Sequence, residues 1–170
     1  EWTVPHFEKM LYDNAELPQV YLLAHQLTGA PRYAQVAQET LGFVERELGH
    51  PDGGFYATLD ARSEPPAGTD APAEGAFYVW TPETVAEAVE DDLTATLARE
   101  RYGVTDAGNF ERGTSVLTVD ASYEQLAERH DLAVSAVRER LLSARERLFE
   151  ARSERPRPRR DEKVLAGWNG

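Results

Sequence analysis

Apolar residues recur along most of the chain at intervals of three and four, interrupted by two short stretches where aromatic residues cluster. Ala34, Ala37, Leu41, Val44 and Leu48 step in this way with Gln35, Gln38, Glu45 and Arg46 between them, and Gly49 follows. That pattern predicts an amphipathic helix with one buried stripe. Val20, Leu23, Ala24 and Leu27 predict an earlier helix from about Leu17 to Leu27, stopped by Gly29 and Pro31. Its start has two readings. Asp13 with Glu16 three residues later has the spacing of a cap, but Pro18 then falls inside the helix, whereas a start near Leu17 keeps Pro18 in the first turn. The short Ala30-Pro31 link predicts an antiparallel helical hairpin.

The period then changes. Gly54–Leu59 and Ala76–Trp80 are short, aromatic and strand-prone, and the Pro-, Gly- and acid-rich stretch 63–75 between them reads as a mobile loop, so a small two-stranded β-hairpin insert is expected. Thr81-Pro82-Glu83 supplies an N-cap, a proline at the first helical position and an acid in the first turn, predicting a helix to about Val89. A short helix over Leu93–Arg101 follows, then an irregular stretch from Gly103 to Gly113 and a strand-like Ser115–Val119. Ser122 with Gln125 has capping-box spacing for a helix to about His130. Val134, Val137, Leu141, Ala144, Leu148 and Ala151 define the clearest helix, with Arg and Glu on the opposite face. Residues 153–160 form an Arg/Pro-rich connector, expected to be extended and solvated, and Asp161–Asn169 opens one more helix.

Charge narrows the partners. Thirty acids against 18 bases give a formal charge of −12, a field that repels nucleic acid. With no cysteine, the chain holds neither a disulfide nor a Cys-x-x-Cys redox pair. No apolar run approaches the ~20 residues of a membrane span and no signal peptide is visible, so no membrane partner is expected and the cytoplasm is the expected location.

The opening run Trp2-Thr-Val-Pro-His6-Phe-Glu8-Lys-Met-Leu-Tyr-Asp13-Asn14-Ala mixes aromatic bulk with polar groups in the manner of a pocket wall. It resembles the thioredoxin-domain-containing proteins related to spermatogenesis-associated protein 20, specifically their large helical domain. Further blocks are similar and in the same order: Asp52-Gly-Gly-Phe-Tyr56, Asp60-Ala-x-Ser-Glu64, Glu74-Gly-x-Phe-Tyr-Val-Trp80, Tyr102-Gly-Val104, Gly108-Asn-Phe-Glu111 and Asp161-x-Lys-Val-Leu-x-x-Trp168-Asn-Gly170. The resemblance implies a mainly α fold, about half of an (α/α)6 toroid of the kind shared with N-acylglucosamine 2-epimerases and six-hairpin glycosidases. Residues 1–170 are then a fragment of that single domain, normally joined to a thioredoxin-like domain. The chain departs from the family's Asp-Ala-Asp-Ser-Glu-Gly block at Arg62 and Pro65, which weakens a metal reading there.

Toroids of this kind gather polar residues at one rim. Glycoside hydrolysis needs two carboxyls roughly 5 to 9.5 Å apart, and epimerisation next to a carbonyl needs a base on each face of the carbon. His6, Glu8, Asp13 and Asp60 are the candidate catalytic groups. Trp2, Asn14, Glu64, Glu74, Trp80, Asn109, Trp168 and Asn169 are candidate ligand contacts. Simpler roles compete at each: His6 fixing the Pro5 turn, Asp13 and Asn14 capping a helix, Glu64 and Glu74 as solvated loop acids, and Asp161 paired with Lys163 at the start of a helix. His6 and Glu8 lack a third metal ligand, no phosphate loop is present, and no metal or cofactor is expected. The first functional reading is a sugar or polyol pocket in a carbohydrate-active-enzyme-like domain, of epimerase or glycoside hydrolase type if it catalyses. The second is a non-catalytic binding or scaffold domain serving the thioredoxin-like module, which expects no pair of carboxyls facing a common cavity. A third is an inactive fragment.

Overall fold

Glu45 sets the first geometric constraint. Its carbonyl lies so close to Gly49 that a β-carbon there would sit 2.5 Å from the oxygen, so only glycine can follow the helical run that the apolar stripe predicts. The computed structural model describes residues 4–65 and 71–170. The Trp2 assignment and the centre of the loop at 66–70 lie outside the described residues. Within them the protein is mainly helical, and the chain divides into two compact units, one containing Glu64–Arg157 and the other formed from His6–Ser63 together with Pro158–Gly170.

In the two-part unit, β1 (Lys9–Met10) leads directly into α1 (Leu11–Thr28), and α2 (Pro31–Phe43) runs on through a π-helical turn at Val44–Leu48. The sequence places the start of α1 near Leu17 or at a cap on Asp13. The helix begins at Leu11 instead and Pro18 is buried inside it. No side chain caps this end; a tertiary bond does part of that work, the Leu11 N–H donating to the Ala57 carbonyl at 2.9 Å. The hairpin with α2 forms as expected, and the Gly29 N–H closes α1 by donating to the His25 carbonyl at 2.8 Å.

The predicted strand Gly54–Leu59 contracts to β2 (Thr58–Leu59), and its partners are not Ala76–Trp80. It sits between β1 and β3 (Arg160–Asp161) in an antiparallel three-stranded sheet, with Lys9 opposite Leu59 and Thr58 opposite Asp161. Strand propensity located β2, but its neighbours are two-residue strands without any alternation to read. The small core of this unit joins Leu11, Val44, Leu48 and Leu59, with Phe43, Phe55 and Trp168 packed against it. The final short helix, α7, is Ala166–Asn169.

The other unit carries α3 (Pro82–Val89), α4 (Asp92–Tyr102), α5 (Tyr123–His130) and α6 (Val134–Ser153). The predicted caps are present. Thr81 and Thr84 form a reciprocal pair at the start of α3, and Ser122 and Gln125 do so at α5. Val137, Leu141, Ala144 and Leu148 of α6 are buried as the spacing requires, against Val85, Val89, Leu97, Ala98 and Leu126. Gly75–Tyr78 forms turns instead of a strand, and Trp80 makes an isolated antiparallel bridge to Ser115. No helix among the described residues is long and apolar enough to cross a membrane.

Candidate functional site

Residues 6–8 lead into β1 without regular secondary structure. Phe7 is buried, 1% exposed, while His6 and Glu8 on either side of it in sequence meet, Nδ1 to Oε1 at 3.3 Å. The His6 side chain is 93% exposed and Glu8 39%, so the pair stands in solvent. Lys9 Nζ donates to the Phe7 carbonyl at 2.6 Å and braces the same segment.

Asp13 is exposed in the first turn of α1, where a carboxylate favours the helix N-terminus. Asn14 turns back on its own helix, its Nδ2 donating to the Met10 carbonyl at 2.7 Å. Asp60 is exposed and its Oδ1 accepts from the Arg62 N–H at 3.0 Å. Tyr12 and Trp168 pack edge to face with ring centres 5.0 Å apart. Asn169 serves as a short strand surrogate: its Oδ1 accepts from the Phe55 N–H at 2.6 Å and its Nδ2 donates to the Phe55 carbonyl at 3.2 Å. Gly54 permits that approach, since its φ of +80° suits glycine and a β-carbon would come within 3.1 Å of Asn169 Oδ1. Asp161 and Lys163 form the expected pair at 3.0 Å. The Lys163 ammonium and backbone N–H, both bonded to the Asp161 carboxyl, hold its pKa below the usual carboxylate value.

Glu64, Glu74, Trp80 and Asn109 belong to the other unit. Glu64 and Glu74 are exposed. Trp80 is a core residue, 3% exposed. Asn109 closes a loop by bonding both ways with the Val116 backbone, at 2.8 and 2.9 Å. The structure therefore brings together His6 with Glu8, Tyr12 with Trp168, and Asn169 with Phe55, and it directs the polar atoms of Asn14, Asp60, Asn109 and Asn169 to backbone groups.

Among the described residues two clefts on this second unit stand out, and neither is lined by a candidate catalytic or ligand-contact residue. One, of about 600 Å³, has Arg99, Glu100, Asp106, Asp120 and Arg129 on its walls. Its charges are largely paired, Arg99 with Asp106 at 3.4 Å and Glu100 with both Arg129 at 3.1 Å and His130 at 3.0 Å. The other, of about 470 Å³, lies along Asp91, Thr94, Glu139, Arg140 and Arg147. Arg140 donates to Asp91 at 3.0 Å and to the Thr94 hydroxyl at 2.9 Å. Bonds from the Thr94 side chain and N–H, with the nearby Arg140 cation, lower the Asp91 pKa. These pairs span 30 residues or more of sequence in several cases, and nothing local announces them.

The connector also has a structural part. Arg155 is stacked on Trp80 and bonded to two carbonyls, and Arg160 lies over Tyr56 at 4.1 Å while donating to the Glu47 carbonyl at 3.3 Å. Arginine's flat, weakly hydrated head suits both tasks. Among the described residues no group of three or more His, Cys, Asp or Glu is placed to hold a metal ion.

No family model matches the chain. Three curated proteins show what it is similar to along its whole length. It is 46% identical to spermatogenesis-associated protein 20 of Homo sapiens and 43% identical to the protein of the same name in Mus musculus, covering 24% of each. It is 31% identical to an uncharacterized protein of Caenorhabditis elegans, covering 25% of it. The chain thus spans about a quarter of the length of these relatives.

Proposed function

We propose that this chain is part of a non-catalytic binding or scaffold domain within a larger helical protein, an (α/α)6 toroid that serves a thioredoxin-like module. The observation that carries this reading is how the candidate groups are used. His6, which would be the proton-transfer base, stands in open solvent, and Asn14, Asp60 and Asn169 hold backbone. Acid–base catalysis needs a group within reach of a substrate held in a shaped site. Neither cleft described above contains His6, Glu8, Asp13 or Asp60.

A sugar or polyol site of epimerase or glycoside hydrolase type is the second reading. It is favoured by the His6–Glu8 pair lying a few residues from Tyr12, whose ring meets Trp168, since aromatic rings and carboxylates are what sugar binding employs. Calorimetric titration of mono- and disaccharides into a polypeptide of the relatives' full length separates the two. The scaffold reading expects no heat of binding. Saturable sugar binding that is lost in His6→Ala or Glu8→Gln would replace it with the second.

A further inference from the structure

Helix α1 is apolar on two opposite sides. Leu11 and Pro18 point into its own unit and are buried. Around the helix from them, Val20, Leu23 and Leu27 follow each other at steps of three and four and form a stripe that is 60, 58 and 87% exposed. A helix that is apolar all round is normally covered all round, and one stripe of three large aliphatic side chains left in water is an unsatisfied surface. Nearer the start of the helix the same side carries Asp13 and Glu16, both exposed.

We infer that this stripe is the seat of another helix from the same, longer polypeptide, one that lies outside these 170 residues, with aliphatic residues at helical spacing and a basic residue where it meets Asp13 and Glu16. Three observations select this occupant. The relatives that match the whole chain are about four times its length, so most of such a polypeptide lies elsewhere and can supply the helix. The acids at one end of the stripe call for a base opposite. A second copy of this chain would bring another charge of −12 against the first, which opposes self-association. The inference stands whether the domain is a scaffold or binds a sugar.

The test compares single substitutions in the full-length polypeptide. Leu23→Asp is expected to lower the melting temperature by several degrees, while Gln26→Asp, exposed on the same helix but off the stripe, leaves it unchanged. Equal melting of the two variants overturns the inference. If Leu23→Asp fails to fold, thiol alkylation of Leu27→Cys decides: the reaction should be slowed roughly tenfold or more in the full-length polypeptide relative to an unstructured peptide carrying the same cysteine, and equal rates overturn the inference. Sedimentation of the full-length polypeptide as a dimer, reverting to monomer with Leu23→Asp, would also overturn it by naming a second copy as the occupant.

Discussion

The guanidinium of Arg155 lies 3.9 Å from the centre of the Trp80 ring while its Nη1 donates to the Phe77 and Val79 carbonyls at 3.1 and 2.8 Å. One side chain thus covers a core aromatic and ties up the turn that precedes it. Burial, with the Arg152 cation nearby, lowers the Arg155 pKa to about 10, which leaves the group charged under ordinary conditions. Replacing it with alanine uncovers Trp80 and strands two carbonyls. The expected loss is about 2 kcal/mol of stability, from charge-assisted bonds and the stacked cation together. Arg155→Lys should recover less than half, because an ammonium cannot stack flat and reach both carbonyls. Urea unfolding of the three proteins measures both effects.

Asn169 gives a second prediction. Its amide matches the Phe55 backbone as a strand would, donor to acceptor on both sides. Asn169→Ala should cost about 1 to 3 kcal/mol, since both backbone groups lose their partner. Asn169→Asp keeps the acceptor and loses the donor, so it should fall between the alanine variant and the native protein. Hydrogen exchange at the Phe55 amide reports the local opening directly: fast exchange in the alanine variant is expected, slower exchange in the aspartate one.

Ser122 holds the start of α5 through its reciprocal bonds with Gln125, at 3.2 and 2.8 Å. Ser122→Ala removes the acceptor for a helix-terminal N–H and should cost about 1 kcal/mol. Ser122→Asp preserves an acceptor and adds a favourable charge at the helix N-terminus, so its melting temperature should match or exceed that of the native protein.

Tyr102, partly buried at the end of α4, has its phenol pKa raised, by desolvation first and by Tyr123 second. The sign follows from linkage. The unfolded chain releases this proton near the ordinary tyrosine value of about 10, and the folded chain holds it to higher pH. The associated stability is complete below that value and is lost as pH rises from there through the folded-state pKa. Tyr102→Phe keeps the ring and removes the titration, so the fall in urea midpoint between pH 8 and pH 11 should be smaller in the variant. An equal fall would show that this phenol does not contribute.

Local signals were readable where local bonds do the work. Thr81, Pro82, Ser122 and Gln125 announce helix starts because their partners lie within one turn, and the stripe from Val137 to Leu148 follows from helical period alone. The start of α1 was not readable, since Leu11 is anchored by Ala57 and no side chain near it caps the helix. The neighbours of β2 come from opposite ends of the sequence. Among the candidate site residues, His6 and Glu8 meet side chain to side chain. The bonds that occupy Asn109 and Asn169 depend on amides meeting backbone from distant or looped segments, which composition does not reveal.

The pairing of β3 with β2 and the clasp of Asn169 on Phe55 have a temporal consequence. The stretch Glu64–Arg157 is interposed between the two parts of the other unit. On a ribosome it would emerge entire before Arg160 and Asn169 exist to close what His6–Ser63 began. The interposed unit is thus free to mature first, and the earliest-made segment must wait, its central strand lacking one neighbour, until synthesis reaches the far end.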